Sequence, residues 1–173
     1  EYGGLGMGFV STMITCEYIS SGNGSLSTAF GAHTGIGTMP ITLYGTEEQK
    51  QKFVPKLASG EWMGAYCLTE PSSGSDANSG KTKATLSSDG THYSITGQKM
   101  WITNGGFADL MTVFAKIGDD KNLSAFLVEA KSEGISLNPE EKKMGIKGSS
   151  TRQVFFNNVI VPVENMLSER EAG

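Results

Sequence analysis

From about Gly8 to Ile19, apolar residues fall at helical spacing, with Phe9, Met13 and Ile14 on one face and Tyr18 continuing it a turn later. Ser25 to Leu43 carries on with small residues and dispersed apolar ones, so the pattern predicts two packed helices. In the second, Gly31, Gly35 and Gly37 each lower intrinsic helix propensity by roughly 1 kcal/mol. They are read as places of close approach, of helix to helix or of backbone to a ligand. Thr46-Glu47-Glu48-Gln49 is a capping box that opens a third helix, in which Pro55 requires a kink or a restarted turn.

From Glu61 the period changes to that of strands. Met63 to Leu68, Lys81 to Leu86, Tyr93 to Ile102, Met111 to Lys116, Ala125 to Glu129 and Gln153 to Val161 are short and rich in β-branched and aromatic residues. Gly, Asn, Asp and Ser separate them. Asp89-Gly90 predicts a hairpin turn and Asn104-Gly105-Gly106 another reversal. The fold class is therefore α+β: a short helical segment over residues 1–60, a compact antiparallel β-barrel-like domain over 61–165, and a connecting stretch over 166–173. There is no internal repeat or low-complexity segment.

A chain of 173 residues can bury one core, or a small domain with a helical appendage, without staples. Cys16 and Cys67 have no ligand-like spacing to His33 or His92, so they are read as buried free thiols; no disulfide or metal site is expected. Free thiols also point weakly to a reducing compartment. A net charge of −4 argues against nucleic acid as a partner, though it does not exclude an anion held by a few local donors. No apolar run is long enough for a membrane span, and the opening residues do not read as a signal peptide.

Two segments carry candidate chemistry. The first is Ala65-Tyr66-Cys67-Leu68-Thr69-Glu70-Pro71-Ser72-Ser73-Gly74-Ser75-Asp76; the second is Met100-Trp101-Ile102-Thr103-Asn104-Gly105-Gly106. Together they suit an isoalloxazine ring, which needs an aromatic wall on one face and hydrogen-bond donors in its plane. Trp101 offers the wall, and Thr69 and Thr103 the donors. Ser72-Ser73-Gly74-Ser75 brings backbone N–H groups and small hydroxyls within reach of a pyrophosphate.

In this order and spacing the two segments resemble the paired signatures of the acyl-CoA dehydrogenase family of flavoenzymes. Further similarity lies in Glu1-Tyr2-Gly3-Gly4-Leu5-Gly6, in Tyr44 to Lys50 with Pro55 to Glu61, in Lys142 to Ser149 and in Val159 to Asn165, so that it covers nearly the whole chain. The resemblance implies FAD as cofactor. It implies that Tyr66, Leu68, Thr69, Gly74, Ser75, Trp101, Ile102 and Thr103 bind it, with Ser75 also near the CoA part of the substrate. The reaction implied is α,β-dehydrogenation of acyl-CoA thioesters to trans-2-enoyl-CoA, with an electron-transfer flavoprotein as acceptor. Within the family the chain is more similar to the long- and very-long-chain branch.

Family members are about twice this length, so the sequence is read as a central piece that lacks the C-terminal helical bundle and the catalytic carboxylate carried there. No residue here is assigned as catalytic, and the piece alone is expected to be inactive. Full-length relatives form homo-oligomers through that bundle. Glu70 and Asp76 are read as loop-fixing carboxylates that accept backbone N–H bonds, and the Lys142-Lys143 pair as a solvated face. The resemblance implies a bacterial cytoplasmic location, or alternatively the mitochondrial matrix. Competing readings are an acyl-CoA oxidase-like flavoenzyme, which hands electrons to oxygen, and a non-catalytic β-domain.

Overall fold

The computed structural model describes residues 2–173; the part of the opening motif contributed by Glu1 lies outside them. Helices come first: α1 (Phe9–Gly22), α2 (Gly24–Gly31), a π-helical segment (Ala32–Gly37), α3 (Met39–Tyr44) and α4 (Glu47–Ser59). Asn23 separates α1 from α2 and caps the latter, its Oδ1 accepting from the Ser25 and Leu26 amides. The apolar residues of α1 do not pack as their spacing predicted. None of its residues is buried, and Phe9 and Tyr18 are 77% and 76% exposed.

The run expected as one helix from Ser25 to Leu43 is broken by the π-helical segment, and α3 restarts with Pro40 in its first turn, where a missing N–H costs nothing. Of the three glycines, only Gly37 is a close approach. A Cβ there would stand 2.9 Å from both the Ala32 oxygen and the Gly64 carbonyl carbon, whereas Gly31 and Gly35 face open space.

The capping box forms as expected: the Gln49 amide donates to Thr46 Oγ1, and the Thr46 amide to Gln49 Oε1. Helix α4 then runs through Pro55 without restarting. Pro55 lies on the exposed face, as does Gln51, whose carbonyl loses its donor and can be solvated instead. The buried face is Gln49, Phe53, Val54 and Leu57, at helical spacing. Gln49 Nε2 also donates to the Glu164 and Met166 carbonyls, which fastens the helix to the far end of the sheet.

Eight strands follow: β1 (Gly64–Cys67), β2 (Lys83–Leu86), β3 (His92–Thr103), β4 (Leu110–Ile117), β5 (Ser124–Glu129), β6 (Ile135–Leu137), β7 (Thr151–Pro162) and β8 (Met166–Leu167). All six expected strands are present, within a few residues of their expected ends. The very short β6 and β8 carry too little pattern to be read. Both reversals form where expected, with Gly90 at φ +71° and Asn104 at φ +65°.

The sheet departs from the expected barrel in two ways. It runs β6-β7-β3-β2-β4-β5-β8 and leaves β6 and β8 as edges, so it does not close; and two pairings, β1–β4 and β2–β4, are parallel. Strand β4 explains both. β1 pairs with its first half, Leu110 to Val113, and β2 with its end, Lys116 and Ile117, while β5 takes the other edge. The chain must therefore leave the sheet after β1 and re-enter it further along β4. The excursion, residues 68–82, carries most of the first of the two candidate segments.

β4 and β5 are buried on both faces. Met111, Val113, Ala115, Phe126 and Val128 face one core with Ile95, Ile102, Val154 and Phe156. Leu110, Phe114, Ala125 and Leu127 face a second core, filled by Ile41, Phe53 and Leu57 from the helices.

His33 joins the two layers. Its Nδ1 accepts from the Gly64 amide at 3.0 Å and its Nε2 lies 3.0 Å from the Leu57 carbonyl, an arrangement that takes the neutral, Nε2-protonated ring. Burial lowers its pKa, against the Leu57 hydrogen bond that raises it.

Candidate functional site

The first segment leaves β1 at Leu68 and is bonded at once to β3. The Met100 amide donates to the Thr69 carbonyl at 2.8 Å. Lys99 Nζ donates to the Leu68 carbonyl at 3.1 Å and to Glu70 Oε1 at 2.7 Å. Glu70 also accepts from the amides of Lys81 and Thr82, and its own amide and carbonyl exchange bonds with those of Ser73. Burial raises the Glu70 carboxyl, but the bonds from Lys99, Thr82 and Lys81 outweigh it and hold the group below its ordinary range. This carboxylate thus fixes the loop, with three of its four acceptor positions engaged and the side chain buried. Ser73 closes the turn through Oγ to the carbonyls of Asp76 and Ala77. At Asp76 it is the carbonyl, not the expected carboxylate, that is used.

With Glu70 and Ser73 turned inward, Ser72, Gly74 and Ser75 are left on the outside. A Cβ at Gly74 would meet nothing within 4 Å, so the approach to its backbone is open. Among the described residues, no hydrogen bond engages the hydroxyls of Ser72, Ser75, Thr69 or Thr103.

The second segment sits on an irregular stretch of β3. Its register against β7 shifts between Lys99 and Ile102, and inside that bulge Trp101 adopts φ +60°. For a bulky residue this conformation costs about 1–3 kcal/mol. It turns the indole outward, 54% exposed, between Met100 and the buried Ile102. The exposed aromatic plane, the free hydroxyls and the open Gly/Ser turn are what a flavin and its pyrophosphate would require, so the residues present fit the group.

Not every expected residue is placed alike. The Ile102 side chain is 2% exposed within the core, which leaves only its backbone for a ligand. Tyr66 and Leu68 do share a face, and it is the helix side of the sheet. Tyr66 meets Phe114 with rings tilted by 58° and 4.8 Å between centroids, and lines a cavity of about 280 Å³ with Pro40, Tyr44 and Leu167. Burial raises its phenol pKa. Among the described residues no ring contact joins Tyr66 to Trp101. Cys67 is a buried thiol pushed up to about 12 by desolvation, and is inert; Cys16, expected buried, is only half-buried. Lys142 is exposed as expected, but Lys143 is not part of a solvated face: its Nζ donates to the Ser149 carbonyl and Thr151 Oγ1.

Two residues of the site were not singled out for it from sequence. Asn104, completely buried, donates through Nδ2 to the carbonyls of Ala29 and Gly64, tying the reversal after Trp101 to β1 and α2. Lys99 occupies an inward position of β3 in series with Tyr93, Ile95 and Ile102. A lysine in that series is a signal, since Lys99 keeps strict alternation with Tyr93 and Ile95, and the β3 bulge shifts the period only beyond it, between Lys99 and Ile102.

Comparison with known proteins gives a consistent picture. The acyl-CoA dehydrogenase middle domain matches residues 65–159, and the acyl-CoA dehydrogenase N-terminal domain residues 1–61. A probable acyl-CoA dehydrogenase of Bacillus subtilis is 55% identical over the whole chain, which covers 29% of that protein. The human very long-chain specific acyl-CoA dehydrogenase, a mitochondrial protein, is 46% identical over the whole chain, which covers 28% of it. The crystal structure of an acyl-CoA dehydrogenase complexed with FAD from Bacillus anthracis superposes with a TM-score of 0.93 at 52% identity, covering 97% of this chain and 28% of that one. The chain thus spans less than a third of the length of these relatives.

Proposed function

The chain belongs to the acyl-CoA dehydrogenase family, and from that premise we propose that it forms the flavin side of an FAD-dependent acyl-CoA dehydrogenase site. The observation that carries the reading is the joining of two distant segments around free donors: Thr69 is stitched to Met100, and Trp101 next to it is turned outward by a strained bulge. When bound, FAD supplies the hydride acceptor for oxidation of an acyl-CoA thioester to the trans-2-enoyl-CoA. Trp101 stacks against the ring and keeps water from that face. Thr69 and Thr103 donate to its polar edge, where charge accumulates on reduction. Ser72, Ser75 and the backbone at Gly74 hold the pyrophosphate, with Ser75 also near the CoA moiety.

The α-proton acceptor is proposed to come from outside this segment. Supporting this, the carboxylate nearest the cradle, Glu70, is occupied by one ammonium and two amides and cannot approach a substrate. The chain alone is accordingly expected to show no turnover. A long or very long acyl chain is the proposed substrate, supported by the very long-chain specificity that the 46% identical human relative is named for. The relatives' naming as dehydrogenases supports an electron-transfer flavoprotein over oxygen as acceptor, and the 55% identity to a Bacillus protein supports a bacterial cytoplasmic setting over the mitochondrial matrix.

Titration of the folded chain with FAD, followed by flavin absorbance and fluorescence quenching, tests the reading. Saturable binding is expected, weakened about tenfold or more by Trp101→Ala and by Thr69→Val, in keeping with about 1.4 kcal/mol for each lost contact. A folded chain that leaves FAD fluorescence unchanged would overturn it.

A further inference from the structure

We propose that Lys99 is a positioning residue for the flavin cradle: its buried ammonium, bonded to the Leu68 carbonyl and the Glu70 carboxylate, sets the loop bearing Thr69 against the bulge that turns Trp101 outward. The inference rests on the flavin reading above, and adds to it a side chain that would itself touch neither flavin nor substrate.

The geometry is specific. Leu68, Thr69 and Glu70 are three consecutive residues, and each is held by one of two consecutive residues of β3. Lys99 Nζ takes Leu68 and Glu70, at 3.1 and 2.7 Å, and the Met100 amide takes Thr69 at 2.8 Å. Trp101 is the next residue along. Without Nζ, the segment would hang from β3 by the single Met100 bond, at the place where the β3–β7 register is already irregular.

A purely stabilising role accounts poorly for this arrangement. The Lys99 and Glu70 side chains are 0% and 4% exposed, and desolvation makes a buried ion pair a weak source of stability compared with apolar side chains of similar volume. An apolar residue at position 99 would continue the series Tyr93, Ile95 and Ile102, but it could not hold two acceptors on either side of Thr69. Asn104 holds the other end of the bulge to the Gly64 carbonyl, so the Trp101 turn is pinned to the two ends of one strand, β1.

The test uses the chain with Trp62→Phe as background, leaving Trp101 as its one remaining tryptophan. Lys99→Met with Glu70→Gln removes both charges together and leaves no buried ion unpaired. This double variant is expected to keep its thermal midpoint within a few degrees. Its Met100 and Trp101 amides should exchange about tenfold faster or more in the unliganded chain, with β4 and β5 amides unchanged. It should also bind FAD about tenfold more weakly, with altered Trp101 emission. Parental exchange at Met100 together with parental FAD affinity would overturn the proposal. Should the double variant fail to fold, Lys99→Met alone decides, because Glu70 keeps the Lys81 and Thr82 amides as donors: faster exchange at Met100 with weaker FAD binding supports Lys99 as the tether, and parental exchange with parental binding overturns it. If the parent chain binds no FAD, the flavin reading falls, and exchange at Met100 in the unliganded chain still decides whether Lys99 positions the cradle.

Discussion

Trp101 holds a left-handed backbone conformation that disfavours bulky side chains, and it is more than half exposed, so the strain is not repaid by burial of the indole. A residue that tolerates φ near +60° should relieve that strain. Trp101→Asn is therefore expected to leave the thermal midpoint unchanged or raised while abolishing quenching of FAD fluorescence. A lower midpoint would show that the indole packs for stability. His33 makes a second prediction at this scale. Its pKa is lowered in the folded chain, so below about pH 6.5 the unfolded chain binds more protons than the folded one. Its contribution is thus complete above that pH and is lost as pH falls toward the folded value. Urea midpoints should drop between about pH 7.5 and pH 5, and His33→Gln should flatten that dependence. A slope unaffected by the substitution would assign the titration to another group.

Among the elements, the glycines of the π-helical region separate local propensity from tertiary contact. Gly37→Ala places a Cβ 2.9 Å from two backbone atoms, one of them in β1, and neither can swing aside. The expected loss is about 1–3 kcal/mol by chemical denaturation. Gly31→Ala, in helical conformation and facing open space, should instead gain about 0.4–1 kcal/mol. Equal effects at the two positions would remove the argument that Gly37 is the point where helices and sheet meet. The same contrast shows the reach of sequence reading: all three glycines carry the same propensity penalty, and only the approach of Gly64, distant in the chain, tells them apart. The capping box at Thr46, by comparison, was readable in full because both its bonds close within four residues.

For the whole molecule, the two cores share β4 and β5, so helices α3 and α4 and the sheet should unfold together. Tryptophan fluorescence and far-UV circular dichroism should give coincident transitions. Helices α1 and α2 bury no residue, and α1 is the more exposed of the two; its amides should be the fastest-exchanging of the helical ones, well before global unfolding. Protection in α1 equal to that of α4 would contradict this. At the same scale lies what could not be read locally. Period, turns and caps located the start of α4, both reversals and six strands, and the two motifs marked the segments expected to hold a ligand, because each of these signals is carried by neighbours in the chain. The tertiary structure alone decided that β1 and β2 lie end to end along β4, that the loop between them is pressed onto β3, that the sheet stays open, and that Lys99, Asn104 and His33 are its clamps. The physical reason is that a side chain's burial and partner depend on which edge and which face meet in space, and periodicity constrains only the face.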